Sequence, residues 1–257
     1  METIITILNA DALPFLVAVS AIFLLAGLVK GVVGLGLPTV AVGLLGLVMA
    51  PREAATLLIV PSVVTNLWQL AAGPSFGPLL RRLWPMLVGI GVGTLAGGAM
   101  LPKALAAHAP MVLGMALVVY AVVGLAAVRL AIPSQMEAWL SPAVGAVTGL
   151  VTSATGVFVI PAVPFLQGLG LGREDLVQAL GLAFTVSTFA LAASLALDGT
   201  FQPAVAATSL YALIPSLAGM LCGQWIRSRI RPELFRKIFF LGLLALGAHL
   251  SLRTLVS

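Results

Sequence analysis

Charged side chains are scarce in this sequence. Lys, Arg, Asp and Glu together make up 8% of its 257 residues, against about 25% in soluble domains. Hydrophobic residues reach 61%, and the mean hydropathy is +1.17. So few charges cannot coat a soluble globule of this size, which excludes a soluble enzyme and a disordered chain. The isoelectric point near 10.2 reflects a small surplus of cations, and we expect no nucleic-acid partner.

Thiols and imidazoles are also scarce. The single cysteine, Cys222, excludes an intrachain disulfide and a cysteine-based metal cluster. The two histidines, His108 and His249, are too few for a His-rich metal site. An intramembrane enzyme with a Ser/His dyad would need a histidine within a span, facing a serine, but His108 is beside a predicted loop, His249 is near the C-terminus, and neither lies in a duplicated motif. The chain has no Walker A pattern, so it is not itself an ATP-driven pump. We therefore expect no metal, no cofactor and no catalytic residue.

Long runs without charge decide the class of the protein. Most of them reach the ~20 residues that an α-helix needs to cross a bilayer. They cover 12–29, 31–51, 54–80, 83–102, 104–128, 138–172, 176–197 and 199–226, with a shorter run at 238–252. A β-barrel would instead show short alternating segments. The pattern predicts an all-α, polytopic membrane protein whose surface contacts the lipid bilayer.

The chain contains an internal repeat with a period of about 120–130 residues. Three motifs occur in the same order in each copy, which is hard to obtain by chance. The pairs are GLVKGVVG (27–34) with GLVTSATG (149–156), PREAATLLIVPSVVTN (51–66) with GREDLVQALGLAFTVS (172–187), and Pro-x3-Gly-x3-Gly beginning at Pro85 and at Pro215. We predict a first transmembrane repeat at 1–131, a linker at 132–137, and a second transmembrane repeat at 138–257.

Each half begins with a long apolar segment that Gly and Pro interrupt, at 14–50 and at 139–169. Three cleaner helices follow in each half, predicted at 54–73, 83–101 and 109–130, and at 175–197, 203–226 and 236–255. Non-helical backbone at membrane depth is tolerated only where it is buried or lines a cavity. Interrupted segments at matching places in two halves therefore indicate the binding site of a transporter. Alternatively, these glycines only allow helices to pack closely.

The orientation of the halves depends on whether the interrupted segments cross the membrane once or re-enter. We compared both topologies by the positive-inside rule. A single crossing places eight cations on one side and four on the other, whereas re-entry gives nine and three. The second distribution favours re-entry, which makes the halves inverted repeats. Both topologies place the Arg227–Lys237 loop in the cytoplasm.

Four segments together resemble the sulfite exporter TauE/SafE family over nearly the whole chain. They are AGLVKGVVGLGLPTV (26–40), MAPREAATLLIVPSVVTN (49–66), GLVTSATGVFVIPAV (149–163) and REDLVQALGLAFTVS (173–187). The family typically shows a G-x-G-G-G run, where this chain has Gly34-Leu35-Gly36-Leu37-Pro38. The resemblance implies a transporter in the bacterial inner (cell) membrane that moves sulfite or organosulfur anions, usually outward.

The function predicted from these features is secondary transport. We expect the chain to export sulfite, a sulfonate or a carboxylate by alternating access between the two repeats. An anion channel and a non-transporting membrane scaffold subunit are the alternatives. The expected partners are the small anion, the lipid bilayer and a second copy of the chain in a homodimer.

The first half supplies three candidate residues for binding an anion. Lys30 is the only charge within the predicted membrane region, and an intramembrane charge is functional by default because its burial is costly. Gly34 and Gly36 mark a turn where free N–H groups at a helix N-terminus can face an oxyanion. The alternative for Lys30 is a lysine that snorkels to the membrane surface.

Ser153, Thr155 and Gly156 are the candidates at the matching place in the second half. Gly156 marks the second turn, and the two hydroxyls stand near it in sequence. The alternative for Ser153 and Thr155 is a hydrogen bond back to their own helix.

A further matched pair is Asn66 and Ser187, with Gln69 and Thr188 close by. Amide side chains inside a span cost free energy unless they are hydrogen-bonded, so each must meet a partner helix, water or the substrate. We include all four among the candidate substrate-binding residues. Bonding between helices is the alternative.

Overall fold

The structure of the protein is a computed structural model that describes residues 13–100, 108–126, 131–200, 203–227, 229 and 232–256. This part of the chain is all-helical and contains no strand, which confirms the predicted fold class. Its ten helices are α1 (Leu13–Val33), α2 (Leu37–Leu45), α3 (Pro51–Ala71), α4 (Phe76–Met100), α5 (Ala109–Leu125), α6 (Ser134–Thr155), α7 (Ala162–Gly168), α8 (Arg173–Leu197), α9 (Pro203–Arg227) and α10 (Pro232–Val256).

Six of these helices are long and apolar enough to cross a membrane: α1, α3, α4, α8, α9 and α10. Helix α5 is apolar but shorter, with 17 residues. The most apolar stretches of α3 and α8 are 61% and 67% buried, against 28–44% for the other four helices. Helices α3 and α8 therefore form the centre of a multi-pass membrane bundle.

Several helix boundaries differ from the predicted ones. Helix α4 begins at Phe76, whereas the sequence predicted a start at residue 83. The charge of Arg82 does not end the helix, because its guanidinium lies at the end of the bundle and donates 2.7 and 2.8 Å hydrogen bonds to Glu137. Helix α6 begins at Ser134, inside the stretch expected as a linker. Residues 127–130, predicted as the end of a helix, lie outside the described residues.

The first interrupted segment folds back on itself. Helix α1 ends at Val33, and Gly34 and Gly36 both adopt positive φ angles, +86° and +108°. Such angles are strained for residues with a Cβ, so glycine allows the chain to reverse here. After the turn, α2 packs back against α1. Both helices line one cleft, to which α1 contributes Leu25 and Val29 and α2 contributes Val40 and Leu44. We call Leu13–Leu45 the first hairpin.

The second interrupted segment reverses in the same way. Helix α6 ends at Thr155, and Gly156 follows with a φ of +74°. The backbone N–H of Ile132 donates a 3.0 Å hydrogen bond to the carbonyl of Gly168. Ile132 precedes the start of α6, and Gly168 is the last residue of α7. The bond between them shows that α7 returns toward the beginning of α6. We call Ser134–Gly168 the second hairpin.

The two central helices pack antiparallel. Ala55 and Ile59 of α3 cluster with Leu191 and Leu195 of α8. At the other end of the pair, Gln178 of α8 donates 2.8 and 2.7 Å hydrogen bonds to the carbonyls of Leu70 and Gly73, just where α3 ends. Because α3 and α8 carry corresponding motifs of the repeat, their opposite directions support inverted halves. The inversion of the complete halves stays a prediction.

Each hairpin packs against the other half of the chain. Helix α1 packs along α9, and α6 packs along α4. Glycines bring these backbones into contact: a Cβ added to Gly27 would lie 2.1 Å from the carbonyl oxygen of Ser216, and one added to Gly145 would lie 2.1 Å from that of Met86. Small residues at such spacings are how helices pack in lipid. Some glycines of the interrupted segments thus serve helix packing, and others serve the turns.

A proline inside α3 is accommodated by a neighbouring helix. Pro61 has no N–H, so the carbonyl of Leu57 loses its helical donor. The hydroxyl of Ser209 on α9 donates a 2.9 Å hydrogen bond to that carbonyl and accepts a 3.0 Å bond from the N–H of Val60. The backbone groups freed at membrane depth are therefore bonded within the protein, as the bilayer requires.

The two ends of the bundle differ in charge. One end, which we call the basic end, holds the α3–α4, α5–α6, α7–α8 and α9–α10 connections. Its cations include Arg81, Arg82, Arg173, Arg227, Arg229, Arg236 and Lys237. The opposite end holds the ion pair between Arg52 and Asp198. The four tryptophans, each more than half exposed, are Trp68, Trp84, Trp139 and Trp225, and all lie near the basic end, as expected for residues at a membrane surface.

We expect Gly145→Ala to destabilise the protein, because the new methyl group would overlap the backbone of α4. Overpacking of this kind costs roughly 1–3 kcal/mol. The matched control is Gly91→Ala in α4, where an added Cβ meets nothing within 4 Å. Thermal unfolding of the purified variants gives the comparison. If Gly145→Ala unfolds at the temperature of Gly91→Ala, the close contact between α4 and α6 is wrong.

Candidate functional site

Lys30 lies near the end of α1 and is buried, with 5% of its surface exposed. It therefore does not snorkel to the membrane surface. Its ammonium group donates one hydrogen bond to Thr65 Oγ1, at 3.0 Å, and another to Asn66 Oδ1. The single charge predicted within the membrane is thus held by two neutral side chains of the central helix α3.

Further hydrogen bonds orient the oxygens that Lys30 contacts. Thr65 Oγ1 donates to the carbonyl of Pro61 at 2.7 Å, so its lone pairs face the ammonium. Asn66 Nδ2 donates to Thr188 Oγ1 at 3.3 Å, which leaves Oδ1 as the acceptor for Lys30. These bonds join α1, α3 and α8 at one point. We call Lys30, Thr65, Asn66 and Thr188 the lysine cluster.

The positive charge of the lysine cluster is not neutralised within the described part of the chain. The two ion pairs there, Arg52–Asp198 and Arg82–Glu137, lie at the ends of the bundle. An ammonium group has three donors, and two of those of Lys30 are used. A buried charge with only neutral partners is costly, so the cluster favours an anion as its counter-charge.

The turn of the first hairpin lies beside the lysine cluster. The N–H of Gly34 donates to the carbonyl of Lys30 at 2.8 Å, and Gln69 Nε2 donates to the carbonyl of Gly34, also at 2.8 Å. Gln69 therefore replaces a helical donor that the turn removes. A Cβ added to Gly36 would lie 2.9 Å from Val29 Cγ1, so this position requires glycine for space as well as for its φ angle.

Three buried side-chain oxygens of the central helices have no hydrogen-bond partner among the described residues. They are Ser62 Oγ, Gln69 Oε1 and Ser187 Oγ. Two of these residues, Gln69 and Ser187, are sequence candidates, and each neighbours a member of the lysine cluster in space or in sequence. Buried polar groups are normally satisfied, so these atoms fit a region that takes up water or a polar ligand.

The candidates of the second half occupy a different place. Ser153 Oγ donates to the carbonyl of Leu150 at 2.8 Å, and Thr155 Oγ1 donates to that of Val151 at 2.7 Å, so both bond back to their own helix. A Cβ on Gly156 would lie 2.6 Å from that of Ala55 in α3. Ala55 precedes Asn66 by eleven residues, which is ~16 Å along a helix.

The ten candidates therefore divide between two places along α3. The structure brings Lys30, Asn66 and Thr188 together. Gly34, Gly36 and Gln69 lie at the adjoining turn, and Ser187 precedes Thr188 in α8. The structure places Ser153, Thr155 and Gly156 at the second hairpin. Thr65 was not among the candidates, because a threonine in an apolar helix gives no local signal of its partner. In the described part of the chain, no group of three His, Cys, Asp or Glu side chains could hold a metal ion.

Comparison with known protein families matches residues 19–250 of the chain to the family described as Sulfite exporter TauE/SafE. No curated protein and no solved structure matches the chain. The match includes every member of the lysine cluster, the turn of the first hairpin and the whole of the second hairpin.

We expect the hydrogen bond between Lys30 and Asn66 to couple their effects on stability. Asn66→Leu leaves a buried ammonium with one acceptor fewer and should cost roughly 1–3 kcal/mol. In the double variant Lys30→Met/Asn66→Leu, both polar groups are gone, so the loss should be smaller than the sum of the single losses.

Thermal unfolding of the four proteins in this double-mutant cycle measures the coupling. Ser153→Ala is the matched control, since this buried hydroxyl bonds the carbonyl of Leu150 in its own helix, and it should change stability less than Asn66→Leu does. Strictly additive losses would contradict the contact.

Proposed function

Because the chain belongs to the sulfite exporter TauE/SafE family, we propose that it is a secondary transporter that carries sulfite or a small organic anion out of the cell by alternating access. The family is one of sulfite exporter-type transporters, and the chain is a multi-pass helical membrane protein. The organic anions that we consider are sulfonates and carboxylates. A homodimer stays a prediction.

The buried ammonium of Lys30 is the observation that carries this proposal. It lies where the first hairpin reaches the central helices, and one of its three donors has no acceptor among the described residues. Negative charge on a substrate would offset the cost of burying this cation. The peptide N–H groups at the start of α2 add donors and a partial positive charge at the same turn.

The packing of the hairpins supports a mechanism in which the two halves move relative to each other. Each hairpin contacts both the central pair and a helix of the other half. A shift between the halves would therefore change access to the lysine cluster from either end. No ATP is required for export, since an anion that leaves an inside-negative cell gains ~2.3 kcal/mol per charge per 100 mV.

The charge of the bundle ends supports an orientation in the membrane. The basic end carries the surplus of Arg and Lys that marks cytoplasmic loops. We therefore propose a bacterial inner-membrane protein whose Arg227–Lys237 loop and basic end face the cytoplasm.

We expect Lys30→Met to abolish saturable anion efflux from proteoliposomes loaded with radiolabelled sulfite. Loss of a hydrogen bond to a charged group weakens binding by about tenfold or more. Lys237→Gln is the matched control, because it removes one exposed cation at the basic end and leaves the lysine cluster intact.

The same assay separates a carrier from a channel. A carrier saturates with internal anion and is accelerated by external anion through exchange, whereas a channel shows neither property. Unchanged efflux in Lys30→Met would remove the lysine from the substrate path. If no anion of a panel of sulfite, sulfonates and carboxylates moves, the transport proposal fails.

We expect the two ends of the bundle to label from opposite sides of the cell membrane. In a Cys222→Ser background, Thr200→Cys at the opposite end should react with an impermeant maleimide in intact cells. Gln135→Cys at the basic end should react only after permeabilisation. The reverse pattern would show that the basic end faces outward.

A further inference from the structure

A cavity of about 520 Å³ lies between the two halves at the basic end. The first hairpin contributes Val33 and Leu35, α5 contributes Tyr120 and Val123, and the second hairpin contributes Gln167. Arg236 of α10 lies on the same cavity and is exposed, so the cavity reaches the surface of the protein.

The inner wall of the cavity is the turn beside the lysine cluster. Val33 and Leu35 flank Gly34, whose carbonyl accepts the hydrogen bond of Gln69. The N–H of Gly34 in turn bonds to the carbonyl of Lys30, one helical turn away. The cavity therefore leads from the basic end to the turn that adjoins Lys30.

Two side chains that line the cavity, Tyr120 and Arg236, carry a polar group without a partner among the described residues. The Tyr120 hydroxyl is buried, with the residue 3% exposed, and has no hydrogen-bond partner among the described residues. Its ring is fixed edge-on against Phe240, with centroids 5.2 Å apart. In the described part of the chain, Arg236 forms no ion pair with a carboxylate.

We propose that this cavity is a second anion site, which binds the anion before it reaches Lys30. Arg236 attracts the anion at the surface, and the Tyr120 hydroxyl donates a hydrogen bond to it inside. The rest of the wall is largely apolar, including Val33, Leu35 and Val123, so the site prefers an anion with a short carbon chain to an inorganic ion. This inference rests on the proposed transport function and names a step of it.

Binding of straight-chain alkanesulfonates to the purified protein in lipid nanodiscs tests the proposal. Isothermal titration should show affinity rising from methanesulfonate to hexanesulfonate, by up to about fourfold per methylene. Sulfite should bind more weakly than hexanesulfonate. Hexanol, which has the carbon chain without the charge, should not compete.

Two matched pairs of variants locate the site. Tyr120→Phe removes only the hydroxyl and should weaken hexanesulfonate binding by about tenfold. Tyr211→Phe alters the other tyrosine of the chain, which bonds to Ser20 away from the cavity, and should leave binding unchanged. Arg236→Gln should weaken binding and reduce its dependence on salt, whereas Lys237→Gln should not.

Three results would overturn the inference: equal affinity for methanesulfonate and hexanesulfonate in the wild type, competition by hexanol, or equal effects within each pair of variants. Because the length series uses the unaltered protein, it decides the matter even if a variant does not fold.

Val123→Phe, which fills the cavity, should reduce binding of hexanesulfonate more than that of sulfite. Tyr120-dependent binding without any flux would refute the transport proposal but leave the second anion site in place.

Discussion

A bilayer offers no hydrogen-bond partners, so every backbone group at membrane depth must be bonded within the protein. At three buried places where a described helix is interrupted, a side chain bonds the freed backbone groups. Gln69 bonds the carbonyl of Gly34 at the first turn. Thr155 accepts from the N–H of Val157 at the second turn, and Ser209 bonds the groups freed by Pro61. Gln69, Thr155 and Ser209 are therefore the polar residues of the core that make these broken helices possible.

The same constraint explains why the halves interlock. Lipid tails are as apolar as the protein core, so burial of apolar surface does not drive these helices together, and close van der Waals packing must do so. Glycines on α1 and α6 bring their backbones against α9 and α4, which belong to the other half. Each hairpin turn is thus positioned jointly by the central helices and by the opposite repeat, so the turns cannot shift independently of the halves.

Lys30 stands apart from the other polar groups, because no broken helix requires it. Its burial costs free energy that Thr65 and Asn66 offset only in part, since neutral acceptors do not cancel a charge. Stability alone would favour an apolar residue at this position. The turn of the first hairpin, which lies beside this cation, also lines a cavity at the basic end, where the Tyr120 hydroxyl has no hydrogen-bond partner among the described residues. A structural role in the described part of the chain explains neither the buried ammonium of Lys30 nor the buried hydroxyl of Tyr120.

Composition and local sequence pattern were sufficient to predict the fold class of this protein and the positions of its helix breaks. Charge-free runs of membrane-spanning length determined the all-helical class, and Gly and Pro at matching places located both breaks, because these properties depend on neighbouring residues alone. The tertiary structure decided how the chain reverses at Gly34 and Gly156 and that α3 and α8 run antiparallel. It also separated the candidates: Thr188 meets Asn66 across 122 positions of sequence, whereas Ser153 and Thr155 bond their own helix. Such contacts depend on which face each helix turns toward a distant partner, and no local pattern specifies that.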